Sequence, residues 1–154
     1  MPYSGDSPLA RYNRLIKRND DLYRQACRAM GIPEVSLWIL YCLRESDIHT
    51  PSDLCDAMLQ PKQSVNSALK RLEQDGYVTL SGSPGDKRSK RISLTEAGEK
   101  LTQRTADVVR HAEQAVFDTA PAQEQEQFLT LFDRFNNRLQ KAMQQALQDI
   151  RSNV

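Results

Sequence analysis

The chain is 154 residues long, which suits one ordinary domain with a hydrophobic core. Its 21 basic and 20 acidic side chains nearly balance, so the overall charge excludes a basic tail and gives no global sign of nucleic-acid binding. Three cysteines occur, Cys27, Cys42 and Cys55, without a short Cys-x-x-Cys spacing, which argues against a disulfide framework and indicates a reducing compartment.

Membrane and enzyme signals are missing from the sequence. Residues 1–20 contain no apolar leader segment, and no apolar run approaches the roughly 20 residues of a membrane span. We therefore expect a soluble cytoplasmic protein without a membrane partner. A Gly-x-Ser-x-Gly motif, a P-loop and a His-Glu-x-x-His motif are lacking, and His49 and His111 lie far apart. The sequence predicts neither an enzyme nor a cofactor or metal site.

The first 45 residues predict two helices. Apolar residues recur at helical spacing from about Asp6 to Met30, and Gly31 ends this helix. A second helix is predicted from Pro33 through Glu45. Because this second helix is apolar on nearly all sides, we expect it at the centre of the core.

A short helix is predicted to begin after Thr50. Thr50 is a favourable N-cap, Pro51 suits the first helical position, and Asp53 places an acid in the first turn. The inner side of this helix is predicted to consist of Leu54, Cys55, Ala57, Met58 and Leu59. Gln60 and Pro61 break it, and another helix follows within two or three residues. Two helices joined so tightly predict a helix-turn-helix unit.

The helix after Pro61 has two chemically different faces. Its apolar face is formed by Val65, Ala68, Leu69 and Leu72, one turn apart. Its other face carries hydrogen-bonding groups and almost no acid: Lys62, Gln63, Ser64, Asn66, Ser67, Lys70 and Arg71. Gly76 ends the helix. A polar helix face of this kind suits the major groove of DNA.

A basic hairpin is predicted directly after that helix. Residues 77–80 and 92–94 read as short strands, and residues 81–91 between them form a turn followed by a basic run. Residues 60–95 hold seven basic and three acidic side chains, a net charge of +4, whereas the flanking segments are slightly acidic. The local charge excess falls on the segment with the polar helix. Together they predict a winged helix-turn-helix within a mainly α (α+β) fold.

Long helices are predicted at both ends of the chain. Thr95 is the expected N-cap of a helix reaching about Asp118, and Pro121 opens a last helix that continues almost to the C-terminus. The first and last helices carry apolar stripes longer than a winged domain can cover. We expect them to form a homodimer, although packing on each other within one chain is the alternative. A two-fold dimer predicts an inverted-repeat target.

Residues 1–154 are predicted to form a single domain. Residues 33–95 are the predicted winged helix-turn-helix lobe, and residues 6–30 and 96–150 are the predicted dimerisation helices.

The order of elements and two motifs resemble the multiple-antibiotic-resistance regulator (MarR) family of bacterial transcription factors over nearly the whole chain. Asp86-Lys87-Arg88 followed by Ser-Leu-Thr-Glu-Ala-Gly at 93–98 fits the family's D-x-R…LTxxG wing pattern. Residues 64–73 and the following Asp-Gly-Tyr-Val at 75–78 fit its recognition helix and exit. One departure is at Thr79 and Leu80, where family members commonly carry an arginine. One phosphate or structural contact of the family is therefore in doubt.

The resemblance implies homodimeric, sequence-specific binding to double-stranded DNA, usually repression released by a small molecule or an oxidant. It also implies that Arg88 enters the minor groove while Asp86 holds its guanidinium. A carboxylate can fix the planar guanidinium of a loop-tip arginine, and narrow A·T-rich minor grooves attract such an arginine. The alternative for this pair is a turn-forming aspartate beside a solvated arginine.

Within the resemblance, the proposed DNA contacts divide by position. Base-edge contacts are expected from the first turns of the recognition helix: Lys62, Gln63, Ser64, Asn66 and Ser67. Gln63 or Asn66 could pair with adenine, and the sequence leaves the choice open. Phosphate contacts are expected from Lys70, Arg71, Lys87, Lys90, Thr50 and Ser52.

The resemblance also implies an effector site between the dimerisation helices and the winged helix-turn-helix lobe. Its expected lining is Tyr12, Trp38, Tyr41 and His111. Core packing is the alternative for the two residues of the second helix. The alternative functions are an activator or stress-responsive regulator without a small-molecule ligand, and a metal- or redox-sensing repressor. The cysteines and histidines disfavour this last class, since they have no ligand spacing and the cysteines fall on or near apolar helix faces.

Overall fold

The fold is mainly helical with one small antiparallel sheet, as predicted. The computed structural model describes residues 7–45, 48–82 and 90–152. Its helices are α1 (Pro8–Met30), α2 (Glu34–Cys42), α3 (Pro51–Met58), α4 (Lys62–Gln74), α5 (Glu96–Gln103), α6 (Ala106–Asp118) and α7 (Ala122–Ser152). Strands β1 (Val78–Ser81) and β2 (Arg91–Leu94) pair with Val78 opposite Leu94 and Ser81 opposite Arg91. This is a winged helix-turn-helix.

The core of this lobe is built around α2. Leu37, Ile39 and Leu40 are fully buried, and α2 packs against both α3 and α4. The prediction of a central second helix is confirmed, although the helix is shorter than residues 33–45. Pro33 lies before its first turn, and at the other end the N–H of Glu45 donates to the carbonyl of Cys42 in a tight turn rather than continuing the helix.

Local capping explains where α1 and α3 begin. The Ser7 hydroxyl accepts a hydrogen bond from the N–H of Ala10 at 3.1 Å, so α1 starts with Pro8. Thr50 and Asp53 form a reciprocal capping box: the Thr50 hydroxyl accepts from the Asp53 N–H, and the Asp53 carboxylate accepts from the Thr50 N–H at 2.8 Å. Gly31 ends α1 in the left-handed conformation, as predicted.

The prediction of one helix from Thr95 to Asp118 is wrong, because the chain breaks between Gln103 and Ala106. The buried Thr102 hydroxyl donates to the carbonyl of Gly98, and the buried Thr105 hydroxyl donates to that of Leu101. Hydroxyls that bond to the carbonyl four residues earlier compete with the helix ladder and bend it. α5 ends there, and α6 begins as a new helix.

The chain divides into two compact units, Met1–His111 and Ala112–Val154. The second unit is dominated by α7, whose 31 residues span about 46 Å. Its large apolar side chains recur at helical spacing and are largely exposed: Phe128, Leu131, Phe132, Phe135, Met143, Leu147 and Ile150. Within the described part of the chain, no helix has the length and apolar character needed to cross a membrane.

Thr95 and Gly98 form the junction between the hairpin and α5. The Thr95 hydroxyl accepts from the Gly98 N–H at 3.0 Å and donates to the Gly76 carbonyl at 2.7 Å. The Thr95 N–H donates to the carbonyl of Tyr77 at 3.0 Å. Gly98 lies so close to Tyr77 that a Cβ at position 98 would overlap the Tyr77 carbonyl. This contact requires glycine at the position.

We expect Gly98→Ala to destabilise the protein by about 1–3 kcal/mol, because the added Cβ must displace the backbone of Tyr77. Urea unfolding measures the change. The matched control is Ala97→Gly, which changes the exposed neighbouring residue in the opposite sense and loses about 1 kcal/mol of helix propensity. If propensity alone mattered, Gly98→Ala would gain stability, and that gain would contradict the proposed overlap.

A second prediction concerns pH. Hydrogen bonds from the backbone N–H groups of His49 and Thr50 hold the pKa of Asp53 below its ordinary value. The folded state therefore has the lower pKa, so the stabilisation is complete above the unfolded pKa of about 3.9 and disappears as the pH falls through the folded value.

We therefore expect Asp53→Asn to be less stable than the wild type near neutral pH, and the difference between the two proteins to shrink as the solution is acidified. Urea unfolding at a series of pH values measures it. Asp56→Asn, on the exposed side of the same helix, is the control. A difference that stays constant with pH would show that the Asp53 charge is not responsible.

Candidate nucleic-acid interface

The structure separates α4 into the two faces that its sequence predicts. Val65, Leu69 and Leu72 are buried, and Ala68 is half-buried beside them. The seven residues predicted for the polar face are all exposed: Lys62, Gln63, Ser64, Asn66, Ser67, Lys70 and Arg71. The buried face packs on α2 and α3, so the polar side chains are carried by a helix that the core holds in place.

The N-terminus of α4 has an electrostatic character that favours anions. Pro61 occupies the N-cap position without a side-chain hydrogen bond, and the first turn contains no acid. The exposed Lys62 lies in this turn instead. The positive end of the helix dipole is therefore not neutralised by the helix's own side chains.

The two residues predicted to bind phosphate at the start of α3 differ in their surroundings. The hydroxyl of Thr50 is engaged in the capping box with Asp53. Ser52 is exposed on the first turn of α3. Ser52 is therefore better placed than Thr50 to contact a phosphate with its side chain, whereas Thr50 has a structural role in beginning the helix.

The guanidinium of Arg71 lies beside an acid of its own helix. Its Nε is 3.8 Å from Oδ2 of Asp75, and both side chains are largely exposed. An exposed ion pair of this length contributes little to stability. Arg71 can therefore exchange Asp75 for a phosphate at small cost.

The hairpin also has two faces. Val78 and Ile92 point into the core, and Leu80 and Leu94 are half-buried with them. The opposite face is exposed and consists of three hydroxyl residues and one arginine: Thr79, Ser81, Ser93 and Arg91. Arg91 was not among the predicted DNA-binding residues. The strand alternation would have found it, since Arg91 alternates with the buried Ile92.

Lys90 is half-buried at the point where the chain enters β2, and its backbone lies against Gly82 across the hairpin. The predicted tip residues Asp86, Lys87 and Arg88 lie outside the described residues. Their assignment stays a prediction from the sequence.

Leu59 corrects the prediction for α3. Leu54 and Cys55 are buried and Met58 is half-buried, as expected, but Ala57 is exposed and Leu59 is 91% exposed. The helix ends at Met58, and Leu59 adopts the left-handed conformation with φ 50°. This conformation costs a non-glycine residue roughly 1–2 kcal/mol. The helical period of α3 does not extend to Leu59, and the residue lies in the turn before α4.

The residues predicted to line an effector site are only partly brought together. The rings of Trp38 and Tyr41 lie 5.4 Å apart, and Tyr23 of α1, which sequence analysis did not select, lies 5.1 Å from Trp38. Tyr12 is half-buried on α1, and His111 is exposed on α6. Trp38 and Tyr41 therefore belong to an aromatic cluster that joins α1 to α2.

Two arginines attach the end of α2 to α5 and α6. Arg44 forms a bidentate pair with Asp107, at 3.0 and 2.8 Å, and donates to Glu99 at 2.8 Å. The Asp107 hydrogen bonds, followed by those of Glu99, raise the pKa of Arg44 although its partial burial opposes this. Arg110 donates to Glu45 at 2.7 Å, and its guanidinium carbon lies 4.5 Å from the centre of the Tyr41 ring. These contacts fix the position of α2 against its neighbours.

The cysteines lie in the positions expected of core residues. Cys27 and Cys55 are buried and Cys42 is half-buried. Burial, followed by the nearby acids Glu34 and Glu45 respectively, raises the pKa of Cys27 and of Cys42, which disfavours the reactive thiolate. Among the residues that the structure describes, no group of three or more His, Cys, Asp or Glu side chains could hold a metal ion.

Comparison with known proteins agrees with this architecture. Residues 30–89 match the model of the MarR family. The chain is 30% identical over 93 residues to the HTH-type transcriptional regulator PrsX of Escherichia coli; the match covers 59% of this chain and 56% of that protein. The matched region thus spans a little over half the length of this relative.

Solved structures resemble nearly the whole chain. NMB1585, a MarR family regulator from Neisseria meningitidis, superposes with a TM-score of 0.76 at 18% identity and covers 90% of this chain and 98% of its own. The MepR–DNA complex of S. aureus superposes with a TM-score of 0.66 at 20% identity. The match covers 89% of this chain and 99% of the MepR chain. At these identities the likeness concerns the fold. The chain therefore shares the fold of these regulators, and its residues 30–89 match the MarR family model.

Proposed function

We propose that this protein is a sequence-specific, DNA-binding transcriptional regulator that acts as a homodimer on an inverted repeat. The observation that carries the proposal is the exposed polar face of α4, which combines amides, hydroxyls and lysines. The buried Val65, Leu69 and Leu72 on the opposite face hold it in place. Polar side chains of these types pair with base edges in the major groove, which admits a helix.

Charge and relatives support the same proposal. The net charge of +4 over residues 60–95 is concentrated on α4 and the hairpin segment, whereas the rest of the chain is slightly acidic. The related MepR fold has been solved in complex with DNA. In a nearly neutral protein, a segment that concentrates the positive charge is the part that a polyanion such as DNA attracts.

The roles of the side chains follow from their positions. We assign base contacts to Lys62, Gln63, Ser64, Asn66 and Ser67 on the first turns of α4. We assign phosphate contacts to Lys70, Arg71, Lys87, Lys90 and Ser52. Thr50, which the sequence also assigned to phosphate, has both its hydroxyl and its N–H bonded to Asp53, so its proposed role is to hold the start of α3 in place. Arg91 joins the residues assigned to phosphates because it is exposed beside the hydroxyls of the hairpin. Arg88, held by Asp86, is assigned to the minor groove.

The dimer is proposed from the apolar surface of the terminal helices. α7 has no buried residue, and seven of its large apolar side chains are exposed along one stripe; on α1, Leu9, Leu15 and Leu22 are also exposed. Exposed apolar surface of this length is unusual in a monomer and is covered most simply by a second copy of the chain. Residues 6–30 and 96–150 are therefore the proposed dimerisation segments.

Repression released by a small molecule is the proposed mode of regulation, with Tyr12, Trp38, Tyr41 and His111 as the proposed effector site. The observation in its favour is the aromatic cluster of Trp38 and Tyr41, which stands next to the Arg44 and Arg110 contacts between α2 and α5–α6. Activation of transcription, or a response to stress without a ligand, is the alternative mode.

The DNA-binding proposal is tested by selecting duplexes from a randomised library with the full chain. We expect an inverted repeat to be recovered. On that sequence Arg88→Ala should weaken binding by about 1–3 kcal/mol at fixed salt, because a groove contact and one positive charge are lost. Fluorescence anisotropy with a labelled duplex measures the change.

Arg104→Ala is the matched control, since it removes the same charge from an exposed position at the end of α5. We expect it to bind as the wild type does. Recovery of no preferred sequence would contradict the proposed function, and equal weakening by the two variants would show that Arg88 acts only through net charge.

The dimer is tested by Leu147→Glu. A charge placed in the apolar stripe of α7 must be buried without a partner in both subunits, at a total cost of about 3 kcal/mol or more, so the dimer dissociation constant should rise by about 100-fold or more. Analytical ultracentrifugation over a dilution series measures it against the chain mass of 17.6 kDa.

Gln145→Glu, on the opposite side of the same helix, introduces the same charge outside the stripe and is expected to leave the dimer intact. A wild type that sediments as a monomer at every concentration would refute the dimer. Equal dissociation of both variants would assign the effect to charge in general rather than to the stripe.

A further inference from the structure

Leu59 is the most exposed large hydrophobic side chain among the residues that the structure describes. It is 91% exposed and occupies the turn between α3 and α4 with φ 50°. Glycine and asparagine adopt this backbone conformation at lower cost than leucine. The position therefore carries both a strained backbone and an unburied apolar side chain.

The apolar exposure at Leu59 is isolated. Between Leu22 and Val108, no other large hydrophobic side chain of the described residues is exposed. Its neighbours in the chain include the exposed Ala57, Pro61 and Lys62. A specific protein interface takes about 800 Å² from each partner, which is far more than one leucine supplies. Leu59 alone is therefore too small to form an interface with another protein.

A single apolar group next to a polar helix face has the chemistry that thymine recognition in DNA requires. The 5-methyl group of thymine projects into the major groove and is recognised by apolar side chains, while neighbouring polar side chains bind the other base edges. Leu59 precedes the first residue of α4 by three positions, so its Cα lies within about 11 Å of that of Lys62, less than the width of the major groove.

We propose that Leu59 is a specificity-determining residue that contacts the 5-methyl group of a thymine at the edge of each half-site. The inference rests on the proposed function, because it requires that α4 enters the major groove. The strain at residue 59 is then a local cost of placing an apolar group beside the polar reading face. In this proposal the DNA bases are recognised by the turn between α3 and α4 as well as by α4 itself.

The test uses the full chain and the sequence selected from the randomised duplex library. Each thymine of the half-sites is replaced in turn by deoxyuridine, which differs only by lacking the 5-methyl group. For the wild type, one symmetric position should lose about fourfold in affinity per half-site, the equivalent of one buried methyl group. Leu59→Asn and Leu59→Gly should bind thymine and deoxyuridine equally at that position.

Leu59→Met is the matched control, because it keeps an apolar side chain of similar size in the same conformation. We expect it to keep the preference for thymine. Asparagine and glycine both suit the left-handed conformation, so these variants should unfold at a urea concentration at least as high as that of the wild type. A loss of thymine preference in these variants is then not caused by a loss of folding. Deoxyuridine outside the half-sites is the control on the DNA.

Three results overturn the inference. They are a selected half-site without thymine, a thymine preference that Leu59→Asn and Leu59→Gly retain, and a weakening by these two variants that is the same for thymine and deoxyuridine. If the wild type selects no sequence at all, the proposed function itself fails. The failure of Leu59 as a reading residue is distinguished from that case by a wild type that binds its selected repeat normally.

Discussion

The hydrogen bonds of Thr95 hold α4 and the β1–β2 hairpin together. Its hydroxyl accepts from Gly98 and donates to Gly76, and its N–H donates to Tyr77. One residue thus joins the end of α4, the base of the hairpin and the first turn of α5. A hairpin of two four-residue strands has little stability of its own, so its position depends on this attachment, on the burial of Val78 and Ile92, and on the hydrogen bond from the Ile92 N–H to the His49 carbonyl. Gly98 allows the attachment because no larger residue fits against Tyr77.

Features that depend on local chemistry could be predicted from the sequence. Thr50, Pro51 and Asp53 define the start of α3 through groups within one turn, and the spacing of Val65, Leu69 and Leu72 defines the buried face of α4. Each signal is complete within a few residues. Neither needs information about the rest of the fold.

Features that depend on burial or on the exact end of a helix could not be predicted in this way. Thr102 and Thr105 look like ordinary helical residues until the core buries them and their hydroxyls turn to backbone carbonyls. Leu59 continues the apolar period of α3, but the helix has ended one residue earlier. Arg91 lies in a basic run whose sequence does not show where β2 begins. The pairing of Arg91 with Ser81 assigns it to the exposed face of the hairpin. Tyr23 joined the aromatic cluster through tertiary packing alone.

The charge distribution has a consequence for how a dimer of this protein would bind. One chain places a net charge of +4 on residues 60–95 and is slightly acidic elsewhere, so in the proposed complex a single copy neutralises few phosphates and has only a modest affinity for a half-site. In the proposed dimer, the second half-site is bound from a high effective concentration, and the two modest affinities multiply. The gain is lost when the spacing of the two α4 helices no longer matches the repeat. Because Arg44 and Arg110 fix α2 against α5 and α6, a shift at these contacts changes the position of α4, which packs on α2. The proposed regulation therefore requires only a displacement of the α4 helices, and the side chains proposed to contact DNA need not change.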